Sequence, residues 1–148
     1  MTYTDEEQDT LRALVEMVVP ASTRYNIPGA GDETILKDIL GLATPHHAII
    51  SKALAALEVL AQDVGGANFA NLRDSDRSTI CETFRTTQPE VAGLIAALTV
   101  QCYYRDERVM HSLDMEARPP FPQGFEVDQG DWSLLEPVRK RKPFFREI

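Results

Sequence analysis

PEVAGLIAALTVQC, residues 89–102, decides the fold class. Val91, Leu94, Ile95, Leu98 and Cys102 recur at spacings of three and four, the period of one helical face. Pro89 stands where a helix begins, at a position whose N–H would have no intrahelical partner. Upstream, Phe69 and Leu72 lead into a second periodic run, with Asp74 or Ser75 as cap and Ile80, Cys81 and Phe84 inward. Thr44-Pro45 reads as the cap and first residue of a helix reaching about Val64, with Ile50, Ala53, Leu54, Leu57, Leu60 and Ala61 inward. Gly65-Gly66 stops it. Asp32 caps a run with Ile35, Leu36, Ile39 and Leu40 inward, and Gly41 closes it. Near the N-terminus, Thr4-Asp5-Glu6-Glu7 is a capping box ahead of a stripe of Leu11, Leu14, Val15 and Val18. Downstream, Asp106 to Ser112 makes a short sixth helix. No alternating run reaches four residues and no repeat recurs. The fold expected is all-α, an irregular orthogonal helical bundle of five to six helices over residues 1–113.

Residues 114–148 read differently. From Pro119 onward, five prolines, two glycines, four phenylalanines and the only tryptophan fall within thirty residues. Proline fixes φ and removes a donor, so an extended C-terminal arm is expected. Disordered tails are poor in aromatics because they cannot bury them. Phe121, Phe125, Trp132, Phe144 and Phe145 therefore call for an apolar surface to dock on. Leu134, Leu135, Pro137 and Arg139 extend the same candidate contact.

Charge is uneven. Residues 1–137 hold 10 Lys/Arg against 22 Asp/Glu, whereas the last eleven hold five basic residues and one acidic. The acidic body argues against nucleic acid, and the basic end fits pairing with an acidic surface. A hydrophobic share of 43% supports a core in 148 residues without disulfides or metals. The N-terminal MTYTDEEQDT is neither a signal peptide nor a twin-arginine leader, and no run approaches a membrane span. A cytoplasmic location is the expectation, with the periplasm open only by export alongside a partner.

Chemistry is sparse. Cys81 and Cys102 lie within apolar helical patterns and read as buried thiols. His46, His47 and His111 lack metal-ligand spacing. Pro28-Gly29-Ala30-Gly31 has no strand before it, as a dinucleotide site requires. We therefore assign no catalytic, cofactor-binding or metal residue. Tyr103, Tyr104, Arg105, Asp106 and His111 mix acid, base and hydroxyl within nine positions, and a pocket there is the alternative, belonging to a stand-alone helical enzyme or ligand-binding domain.

Three stretches carry a resemblance: LRALVEMVVPASTRYNIPGAGD at 11–32, YYRDERV at 103–109 and DWSLLEPVR at 131–139. In this order they resemble the gluconate 2-dehydrogenase subunit 3 family, the small subunits of flavin-dependent sugar and alcohol dehydrogenases. The resemblance implies a non-catalytic accessory subunit, inactive alone. Its partner would be a large GMC-type (glucose-methanol-choline) dehydrogenase that holds FAD and oxidises a sugar, glycoside or polyol hydroxyl. The chain departs from the pattern by lacking the twin-arginine signal seen in many members, and it has no Cys-x-x-Cys-His haem site.

Overall fold

The computed structural model describes residues 2–117 and 129–142. The chain divides into two compact units, residues 1–117 and 118–148. Among the described residues there is no strand, only one isolated bridge between Ser22 and Ile27.

The first unit is a helical bundle. α1 runs Asp5–Val18, α2 Glu33–Ala43, α3 His47–Asp63, α4 Asp74–Thr87, α5 Pro89–Tyr103 and α6 Glu107–Ser112. α5 packs against α1, α2, α3 and α4, which makes the opening stretch the axis of the core. Its Val91, Ile95, Leu98 and Cys102 are buried, and Leu94 is half-buried against the same core. Thr99 is buried too, and its hydroxyl is satisfied by donating to Ile95 O at 2.7 Å. The core centres on Leu11, Ile35, Ile39, Ile50, Leu54, Leu57 and Phe69, each about 1% exposed or less. Burying each such side chain contributes about 1.5–3 kcal/mol before conformational entropy is counted.

Several helix ends follow the sequence closely. Glu7 N donates to Thr4 Oγ1 at 3.2 Å while Thr4 N donates to Glu7 Oε2 at 2.8 Å, completing the capping box. α3 closes on Gly65 at φ +82, a left-handed residue. There Gly66 N donates to Ala61 O and Gly65 N to Gln62 O, the two crossed bonds of a Schellman stop.

Other ends differ. Thr44 does not cap α3; it ends α2, donating its hydroxyl to Leu40 O, and a single 3-10 turn over Thr44–His46 precedes α3. Gly41 lies inside α2 rather than at its end. α4 begins at Asp74 with Arg73 at the N-cap position and no side-chain capping bond, so neither Asp74 nor Ser75 is its cap. Val18 keeps the spacing of the α1 stripe yet is 39% exposed. The α5 surface beside it is Ala92, Gly93 and Ala96, too small to cover it, which leaves an apolar groove of about 410 Å³.

The second unit, within its described residues, is not simply extended. Trp132–Leu135 form a 3-10 turn that runs into one α-helical turn, α7, Glu136–Arg139. Asp131 accepts from Ser133 N at 2.9 Å and caps the start, and Pro137 sits at the beginning of α7, where proline fits.

Candidate functional site

The loop from Val19 to Asp32 is held at both ends and in the middle. Ser22 and Ile27 exchange backbone hydrogen bonds at 3.1 Å, closing a tight turn in which Asn26 adopts φ +52. Asparagine tolerates that left-handed region better than most residues. Glu16, in the last turn of α1, accepts from Ala21 N at 3.0 Å and Gly31 N at 2.9 Å. Ala30 N donates to Val19 O at 2.8 Å, and Arg12 Nη1 donates to Gly31 O at 3.1 Å. The loop passes so close to α1 that a Cβ on Gly29 would collide with the Glu16 carboxylate and stand 2.6 Å from Ala21 N. Glycine is needed here for proximity, not for φ.

Two ties come from far along the chain. Tyr103, at the end of α5, donates its hydroxyl to Pro28 O at 3.2 Å. Arg108, in the first turn of α6, donates Nη1 and Nη2 to Asp32 at 3.1 and 2.7 Å. It also donates Nε and Nη2 to Asp106 at 3.0 and 2.8 Å. Asp32 caps α2 through Thr34 N, and Asp106 caps α6 through Arg108 N. One guanidinium thus joins two helix caps. Hydrogen bonding from Arg108 holds both carboxyls below the ordinary aspartate value, and the two aspartates push the guanidinium above its own. The stretches 11–32 and 103–109, separate in sequence, are one structural lock.

That lock takes two of the five residues of the alternative pocket, Tyr103 and Asp106. Tyr103 is buried, and burial raises its hydroxyl pKa. Tyr104 is exposed and meets Tyr103 edge-on at 5.4 Å between centroids. Asp106 is occupied by Arg108, while Arg105 and His111 face solvent. A shallow concavity of about 730 Å³ lies beside them, lined by Tyr25, Ile27, Arg108, His111 and the tight turn. Of the five pocket residues only His111 lines it. Burial also raises both cysteine thiols, which favours the protonated, unreactive form. His47 packs against Tyr3 at 4.6 Å, and His46 is exposed. Among the described residues no group of three His, Cys, Asp or Glu could hold a metal, and no helix is long and apolar enough to cross a membrane.

Of the arm residues, Trp132 is 64% exposed, Leu134 72% and Leu135 39%, and Pro137 and Arg139 are exposed. Phe121, Phe125, Phe144 and Phe145 lie outside the described residues. Trp132, Leu135 and Val138 recur every three residues on consecutive helical turns, and so share a face. Val138 was not singled out from the sequence, although its spacing from Trp132 was readable. Glu16 was missed as well; a side chain accepting from loop amides leaves no periodic trace.

The family model for gluconate 2-dehydrogenase subunit 3 matches residues 5–117, about three quarters of the chain. It ends where the first compact unit ends, so it covers the first two distinctive stretches but not 131–139. No curated protein and no solved structure matches the chain. The chain belongs to the gluconate 2-dehydrogenase subunit 3 family, and with it to the accessory subunits of dehydrogenase complexes.

Proposed function

We propose that this chain is a non-catalytic small subunit that binds and stabilises a large FAD-dependent GMC-type dehydrogenase acting on a sugar, glycoside or polyol hydroxyl. One observation carries the reading. The polar residues of the family-matched stretches spend their hydrogen bonds on the fold: Glu16, Asp32, Tyr103, Asp106 and Arg108 tie loop to helix and helix to helix. Such a motif preserves a scaffold for docking; it does not present an acid, a base or a nucleophile to a substrate. In this reading the flavin and the substrate pocket belong to the partner, and the complex works in the cytoplasm unless it is exported as a unit.

Docking falls partly to the arm, whose Trp132, Leu134, Leu135, Pro137 and Arg139 are exposed together. Phe121, Phe125, Phe144 and Phe145 belong to the same proposed contact. The test is to produce the large subunit alone, with the full chain, and with residues 1–117. Soluble, FAD-loaded enzyme should be scarce alone, abundant with the full chain and intermediate with the shortened one, since obligate partners stabilise each other. Equal yields with and without the chain would refute the assignment.

A further inference from the structure

We propose that residues 131–142 form a preshaped plug, and that its seat on the large subunit is an apolar socket rimmed by carboxylates. This rests on the accessory-subunit reading and adds the chemistry of the surface engaged. The Asp131 cap, together with backbone bonds from Leu134 N to Asp131 O, Lys140 N to Glu136 O and Arg141 N to Val138 O, shapes the turn from within its own sequence. A plug already in its bound shape loses less entropy on docking. Trp132, Leu135 and Val138 share one face, and Leu134 stands beside it at 72% exposure. Directly behind come Arg139, Lys140, Arg141 and Lys142, all exposed.

This pattern is polar along its length, with carboxylates at 131 and 136 and four consecutive cations at 139–142. A complementary surface presents an apolar hollow for the tryptophan face and acidic groups beyond the C-terminal end of the turn. A membrane fits less well, because interfacial helices need a longer apolar face than one 3-10 turn and one α-turn supply. Nucleic acid is disfavoured by the first unit, whose 18 Asp/Glu against 9 Lys/Arg would repel phosphate.

The experiment measures affinity of the full chain for FAD subunit produced together with it and then separated, at about 50 mM and 500 mM NaCl, where the screening length falls roughly threefold. The variants are Trp132→Ala and the triple change K140E/R141E/K142E, which leaves the Glu136–Arg139 pair intact. The triple variant should bind at least about tenfold more weakly at low salt, with the gap nearly closed at high salt. Trp132→Ala should lose affinity at both. Binding of the triple variant within about twofold of wild type at low salt overturns the proposal. So does loss of wild-type capture by phosphatidylserine vesicles, or of wild-type self-association, in the triple variant while complex formation stays unchanged. If the wild-type chain fails to bind the FAD subunit at all, the accessory-subunit reading falls as well.

Discussion

Replacing Arg108 by alanine is the most direct test of the lock between the 19–32 loop and α6. The change deletes four side-chain hydrogen bonds to two carboxylates that each cap a helix. Fully buried charge-assisted bonds would be worth about 1.5–3 kcal/mol each. The Arg108 side chain is 48% exposed, however, so solvent screening cuts this sharply. Exposed pairs typically contribute about 0.2–1 kcal/mol, and doubly hydrogen-bonded ones lie at the upper end. Two such pairs give about 1–2 kcal/mol. In a unit of this size each kcal/mol shifts Tm by about 3–6 °C, so a drop of roughly 3–12 °C is expected. The pH dependence has a fixed sign. Asp32 and Asp106 have folded pKa values below their unfolded ones, so their stabilisation is present above about pH 4 and vanishes as pH falls through the folded values. Melting curves of wild type and Arg108→Ala should therefore be separated at pH 7 and converge once pH has fallen through the lowered aspartate values. A difference under 1 °C at pH 7 in low salt would show that the cluster is not a lock. Unchanged stability with lost partner binding would reassign it to the interface.

Glu16→Ala removes the acceptor of two loop amides and should cost about 2–3 kcal/mol, with faster hydrogen exchange at Ala21 and Gly31; unchanged exchange at both would reject the clamp. Two glycine substitutions should move in opposite directions. Gly29→Ala forces a Cβ into the Glu16 carboxylate and should lower stability by about 2–3 kcal/mol. Gly93→Ala meets no atom within 4 Å inside α5 and should raise it by about 0.5–1 kcal/mol; equal effects in chemical denaturation would contradict the packing described.

The sequence announced the bundle well where the signal was local. The Thr4–Glu7 box, the Asp32 and Asp106 caps and the Gly65 stop all need only a few neighbouring residues to form. Caps failed at Thr44 and Asp74, because each depends on where the preceding segment ends, and that is set by packing. The turn at 132–139 was hidden by the prolines on either side of it, at 119, 120, 122 and 143, although Asp131 and Pro137 occupy positions that favour a helical start. The candidate pocket failed for a different reason. Proximity in sequence put Tyr103, Asp106 and His111 together on paper, but α5 ends at Tyr103, and successive side chains from there turn to different surroundings.

Pro28 and Asp32 meet their partners 75 and 76 residues downstream. At synthesis rates of about 5–20 residues per second, roughly 4–15 s pass before Tyr103 and Arg108 exist. Glu16 needs only Gly31, fifteen positions on, and can shape the nascent loop alone. The local clamp is a mould and the distant one a latch that closes last. Contacts made after the folding barrier act chiefly on the rate of escape from the native state. Loss of Arg108 should then shorten the lifetime of the finished subunit while leaving its refolding rate nearly unchanged in stopped-flow traces, and slowed refolding would place the latch earlier. An accessory subunit built this way would commit its docking scaffold only after the helical unit is almost entirely made.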